Sequence, residues 1–269
     1  MKSIAQLATY PTGPPVDHGN AGNGITLRRA TERQHDHSRK LESWLTFHPR
    51  APAGLLATGL GNLELLKECR LAPGAGVPSA SGHDTEILTY VREGALAYEN
   101  SLGGSGVVQA GEFQCLTVGH GLRHSQTNAS RTDWAHFFQI WLRPSELDLN
   151  PGHEQKRFTA AQRRGGLCVV ASHDARRGSL RIHQDAQISS ALLDPGQHVV
   201  RELAPGRCAW LHIVQGEVTL GDFVLGTGDG AGVTAEPAVS LTAREESEIL
   251  LIDLGKAMPL GEAMPRPVA

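Results

Sequence analysis

No stretch of this chain approaches the roughly 20 consecutive apolar residues that a membrane-spanning helix needs. The N-terminal run MKSIAQLATYPTGPPVDHGNAGNG has no continuous apolar segment and breaks at Pro11, so it does not read as a secretory signal. Cysteine is scarce. Cys69, Cys115, Cys168 and Cys208 are widely spaced and form no C-x-x-C pair, which predicts buried thiols in a reducing, cytoplasmic setting rather than a disulfide framework. No long basic run is present, and the net charge is −3. Arg163-Arg164 and Arg176-Arg177 read as solvated turn charges, so direct contact with nucleic acid is not expected. No P-loop, dinucleotide fingerprint or Ser-His-Asp spacing occurs; the glycines at Gly226, Gly228 and Gly230 join strands and precede no helix.

What is present suits a β-protein. Gly 31 and Pro 15 among 269 residues supply many tight turns, and 40% apolar residues supply a core. Short β-branched or aromatic runs alternate with turn residues: NLELLKECRL before APGAG, EILTYV before Glu93-Gly94, ALAYEN before SLGGSG, GEFQCLTV, and Trp134–Leu142 closed by Pro144. The second half repeats the texture in LCVVA, ISSALL, CAWLHIVQG, EVTLG, DFVLG, AVSLTA and EILLIDL. Turns every 8–12 residues or so predict a sandwich or barrel. Only Thr31–Arg39 and Thr159–Arg164 suggest short helical turns. LAPGAG…TYVREG and LLDPGQ…HIVQGEV share one sub-pattern, which predicts two similar units from a duplication. The expected organisation is a flexible arm over 1–24, one unit over 25–150, a second over 151–255, and a loose tail over 256–269.

RRATER, SWLTF, LLKECRLAPGAG, DTEILTYVREGALAYENSLG, GEFQCLTVGHGLRHSQTN, HFFQIWLRP and DARRGSLRIHQDA together resemble the pirin family, and above all its bacterial quercetin 2,3-dioxygenase-type members, over residues 25–255. The resemblance implies an all-β bicupin, two tandem cupin-type barrels, and a monomer. It also implies one iron-type metal in the first barrel, held by an H-P-H pair, a later His, and the Glu of an H-S-E motif. A His-x-His pair on a strand aims both imidazoles at one face, leaving open positions for dioxygen or substrate.

Aligned on EILTYV, the H-P-H positions read Ala80-Ser81-Gly82, and the H-S-E motif reads His124-Ser125-Gln126. His124 is the one retained ligand. The expectation is therefore no resident cofactor and a small-molecule pocket at Ala80, Gly82, Glu86, His124 and Gln126. Small-molecule binding, redox response through Cys115, or protein contact would follow. The alternative is a quercetin 2,3-dioxygenase-type enzyme, with a flavonoid-like substrate and Fe(II) or another divalent transition metal on a set rebuilt from Glu86, His120, His124 and Gln126. Strand parity turns His83 away from that set. His183, His198 and His212 read as isolated strand or surface histidines, and the second half as structural.

Overall fold

The computed structural model describes residues 24–47 and 59–255, and of residues 78–82 only the backbone. The expected arm and tail, 1–24 and 256–269, lie outside these apart from Gly24.

The first-half strands are β1 (Ile25–Arg28), β2 (Gln34–His37), β3 (Leu41–Leu45), β4 (Leu63–Leu71), β5 (Gly76–Gly82), β6 (Glu86–Glu93), β7 (Ala95–Asn100), β8 (Ser105–Gln109), β9 (Glu112–Thr117), β10 (Leu122–Asn128), β11 (Ala135–Leu142) and β12 (Gly152–Arg157). After the one-turn helix α1 (Ala160–Arg163) come β13 (Cys168–Ser172), β14 (Leu180–Arg181), β15 (Ala186–Leu193), β16 (His198–Glu202) and β17 (Cys208–Gln215). The chain then continues through β18 (Glu217–Leu220), β19 (Phe223–Gly226), β20 (Gly230–Thr234), β21 (Ala238–Ala243) and β22 (Ser247–Leu254). They form two pairs of facing sheets, each a seven-stranded and a four-stranded sheet: β12-β9-β6-β11-β4-β3-β2 over β5-β10-β7-β8, and β1-β20-β17-β22-β15-β13-β14 over β16-β21-β18-β19. This is the bicupin architecture, with each cup an open two-sheet sandwich rather than a closed barrel.

The halves trade strands, which corrects the expected boundaries at 25 and 150/151. β1 pairs with β20, so Ile25–Arg28 belong to the second unit. β12 pairs with β9 from Gly152↔Thr117 to Arg157↔Glu112, so it closes the first. Thr31–Arg39 also departs from its helical expectation: a single 3-10 turn at Ala30–Glu32 gives way to β2. At α1 the expectation holds, because the Thr159 hydroxyl accepts the Gln162 N–H at 3.3 Å, the geometry of a cap.

The two seven-stranded sheets pack back to back. Alternation along β6 makes this possible: Leu88 and Tyr90 join Phe113, Phe138, Trp210, Leu250 and Ile252 in the interface core, while Ile87 and Val91 face the first cup. At the interface Gly230 must lack a side chain, since a Cβ there would lie 2.1 Å from the buried Trp210 ring. The second cup has its own apolar filling, including Ala191, Leu211, Ile213, Val218 and Leu241.

Candidate functional site

The interior of the first cup is set by register. Directly opposed residues on antiparallel strands share a face. Gln114 on β9 opposes Thr89 on β6, Thr89 opposes Gln139 on β11, and Gln139 opposes Lys67 on β4. The row therefore crosses four strands on one face. That face is the inner one, because Gln139 Nε2 donates to Gln126 Oε1 at 2.9 Å from the opposite sheet. Gln114, Thr89, Gln126 and Gln139 are all buried. The row holds amides, a hydroxyl and an ammonium, with no carboxylate. Two buried donors in this region, Gln114 Nε2 and Trp141 Nε1, have no hydrogen-bond acceptor among the described residues. A buried donor without an acceptor costs roughly 1–3 kcal/mol, so such groups in a native fold call for an explanation.

His124 and Gln126 lie two apart on β10 and so share the inward face. His124 opposes Ala80 on β5 and Asn100 on β7, and Leu122 opposes Gly82. The structure thus brings together the register positions of Ala80, Gly82, His124 and Gln126. Burial lowers the His124 pKa, favouring the neutral ring.

Glu86 does not join them, which corrects the expected pocket. Its carboxylate is buried against the second half, where Oε2 accepts the His183 backbone N–H at 2.7 Å and Oε1 meets His183 Nδ1 at 2.8 Å. Thr117 Oγ1 donates to the same Oε1 at 3.3 Å. Asp84, with φ of 48°, turns the chain between β5 and β6, so alternation cannot be counted across it. His183 is therefore not an isolated surface histidine. Its hydrogen bond to Glu86 raises its pKa, against the opposing pull of burial.

The rebuilt set of Glu86, His120, His124 and Gln126 is not assembled either. His120 is exposed, and its carbonyl meets His83 Nδ1 at 3.0 Å in the turn after β9. One imidazole and a carboxamide already engaged by Gln139 remain where the family pattern has three imidazoles and a carboxylate. That donor set does not fit a divalent transition metal, which in such sites is held by three or more protein ligands.

Cys115 faces the interface core rather than solvent, at 2% exposure, and burial raises its thiol pKa well above the ordinary range. A reactive thiol needs access and a cationic neighbour, so Cys115 is not placed for the expected redox response. His212 is fully buried in β17, its pKa pushed down to about 3 by burial first and then by Arg33. His198 is an exposed strand histidine bonded to Thr242 at 2.9 Å.

One cluster escaped sequence reasoning. Between the halves, Glu248 of β22 takes Arg163 Nη1 at 2.8 Å, Arg92 Nε at 3.1 Å and the Tyr90 hydroxyl in a short hydrogen bond, while Arg163 also reaches Ser190. These residues lie up to 158 positions apart, so no local signal exists. In the second cup, Arg201 and Arg207 converge on buried Asp253 at 2.5 and 2.6 Å beside a cleft of about 290 Å³, leaving that mouth charge-paired.

Two facing-sheet cups in tandem, the first with a row of polar side chains crossing an apolar interior and the second filled with apolar ones, define a bicupin. The chain belongs to the pirin family: residues 24–142 match the pirin family model and residues 169–254 that of the quercetinase C-terminal cupin domain. It is 38% identical over 230 residues to the quercetin 2,3-dioxygenase of Escherichia coli K12, covering 86% of this chain and 98% of that protein. A pirin-like protein of Caulobacter vibrioides is 33% identical over 196 residues, 72% of this chain and 83% of that one. Among solved structures, YhhW from E. coli superposes with a TM-score of 0.82 at 37% identity, over 87% of this chain and 99% of that chain. The same pirin in complex with nickel(II) gives 0.81 at 37% identity, over 86% and 99%.

Proposed function

We propose that the first cup of this pirin is a metal-independent binding site for a small, oxygen-rich organic molecule. One contact carries the reading. At the position of the family's ligating carboxylate stands Gln126, and its side-chain oxygen is bound by Gln139 at 2.9 Å. Glutamine for glutamate removes the charge that would offset a cation, and the oxygen in its place already accepts the Gln139 amide. The rank Gln114–Thr89–Gln139–Lys67 offers donors to hydroxyl, carbonyl or carboxylate oxygens. Gln114 Nε2 and Trp141 Nε1, without an acceptor among the described residues, would take such oxygens. A flavonol carries them on a flat apolar frame, which makes quercetin a suitable first probe.

The test is calorimetric titration of tag-free protein with quercetin, other flavonols and hydroxybenzoates in the presence of a chelator. At least one should bind saturably, and Gln114→Leu or Trp141→Phe should weaken it about tenfold, the loss of roughly one hydrogen bond to a buried partner. No saturable binding by any member refutes the reading.

The second reading is a flavonol dioxygenase working through an altered set around His124. Its support is the 38% identity to a protein named quercetin 2,3-dioxygenase and the nickel(II) complex of a 37% identical pirin. Metal-dependent flavonol turnover that the chelator and His124→Ala both abolish would establish it in place of the first.

A further inference from the structure

We propose that His35, His37 and Glu42 form a surface site for a divalent transition cation, outside both cups and independent of the reading above. Residues 35–37 read His-Asp-His on β2, so strand alternation puts both imidazoles on one face and Asp36 on the other. β2 pairs with β3 in the register His37↔Glu42 and His35↔Trp44, which places a carboxylate on the same face as the imidazoles. The result is two imidazoles and one carboxylate, with their candidate donor atoms all within 4.8 Å of one another.

The spacing suits coordination. Glu42 Oε1 lies 3.2 Å from His35 Nε2 and 4.0 Å from His37 Nδ1. Donors about 2.1 Å from one cation stand about 3.0–3.4 Å apart, whether octahedral or tetrahedral. The first pair already meets that distance, and the second closes with a small rotation of His37, whose side chain is 68% exposed and free to turn. His35 is held by stacking on Trp44, ring centroids 4.8 Å apart and planes 2° from parallel. One ligand is thus preorganised and another adaptable.

Imidazole nitrogens select zinc, copper or nickel over magnesium or calcium, and three protein donors leave the remaining positions to water or a second ligand. A second feature points the same way. Glu42 also lines a cleft of about 300 Å³ with Arg70, Glu93, Trp134 and His136. Arg70 is the direct cross-strand partner of Glu42. A cation on the triad therefore sits at the mouth of a concavity whose guanidinium and exposed indole suit an anionic aromatic co-ligand.

Tag-free full-length protein, stripped with chelator and exchanged into clean buffer, is titrated calorimetrically with Zn²⁺, Ni²⁺ and Cu²⁺. Wild type should take up one equivalent. His37→Ala and Glu42→Gln should each raise the Kd at least about tenfold, with the melting temperatures of the stripped proteins unchanged, while His124→Ala binds as wild type does. The electron paramagnetic resonance spectrum of the Cu²⁺ form should show coupling to two imidazole nitrogens, falling to one in His37→Ala. Uptake below about a tenth of an equivalent, or binding indifferent to both substitutions at the triad, overturns the proposal. Uptake lost only in His124→Ala also overturns it, by moving the cation to the first cup.

Discussion

Gln126→Glu restores the family's carboxylate without its partners, and its effect follows from the surroundings of Gln126. The side chain is 3% exposed and accepts a hydrogen bond from Gln139. A buried charge without a counter-charge costs about 3–5 kcal/mol. The single amide donor at 2.9 Å, now a charge-assisted bond, returns about 1.5–3 kcal/mol. The net loss is about 2 kcal/mol at pH 8. For a chain of this size that is roughly 4–8 °C in melting temperature. The sign of the pH dependence is fixed. Burial raises the folded-state pKa of an unpaired carboxyl, so the penalty is present at alkaline pH. It fades as pH falls towards the unfolded value of about 4.3, where the acid is neutral in both states.

Adding Ala80→His and Gly82→His, at the positions opposite His124 and Leu122 on β5, should turn the penalty into metal affinity. Nickel at about 100 times its Kd then stabilises the triple variant by about 2.7 kcal/mol, a rise of roughly 5–10 °C. Thermal melts at pH 8 and pH 5, with and without Ni²⁺, read all of this. They belong in a His37→Ala background so that the surface triad does not contribute. A Gln126→Glu protein that melts like its parent at pH 8 would refute the burial of Gln126 away from any counter-charge. So would a full nickel shift in the parent that His124→Ala removes.

Three further outcomes are expected. Glu248→Ala leaves buried Arg163 without its counter-charge and the Tyr90 hydroxyl without its acceptor, and should cost about 3–5 kcal/mol; in urea the two halves should still unfold in one transition, and two separate transitions would contradict a shared interface core. Burial alone would raise the Glu68 carboxyl, but the His136 hydrogen bond at 2.8 Å and the Arg33 guanidinium override it and hold it at about 2. Its contribution of about 3 kcal/mol is present above the unfolded value of 4.5 and lost as pH falls towards 2, so Glu68→Gln should flatten stability against pH in that window. Cys115 should stay unlabelled by iodoacetamide until the protein unfolds, because its thiol is sealed between the halves; native labelling would reopen the redox reading.

Much of the fold was legible because its central strands are apolar on both faces. EILTYV in β6, the Trp134–Leu142 run in β11 and EILLIDL in β22 are each covered by a cup interior on one side and by the other half on the other, so they read as continuous hydrophobic runs. The exchanged and edge strands were not legible. β2 and β12 are exposed at every position and carry no alternation, and β20 is glycine-rich where it passes Trp210. The cup position of His124 and Gln126 came from the motif, and the β10 register supports the alignment. Glu86 was misplaced because parity does not survive a turn with positive φ. His183 and Glu248 were missed because their partners lie 97 and 158 residues away.

The two-cup architecture also separates the interior of the first cup from what holds the fold together. The second cup is filled by alanine, valine, leucine and isoleucine from both of its sheets, and its charged mouth is neutralised by Asp253, so its interior is committed to stability. The back-to-back core between the halves draws on the outward faces of β6, β9 and β11, not on their inward ranks. Substituting inward residues of the first cup therefore leaves the interface untouched. Alternation along a strand separates the two faces: Leu88 and Tyr90 pack in the core between the halves, while Thr89 between them faces the first cup. Under that arrangement the change of ligands proposed for the first cup leaves its walls in place.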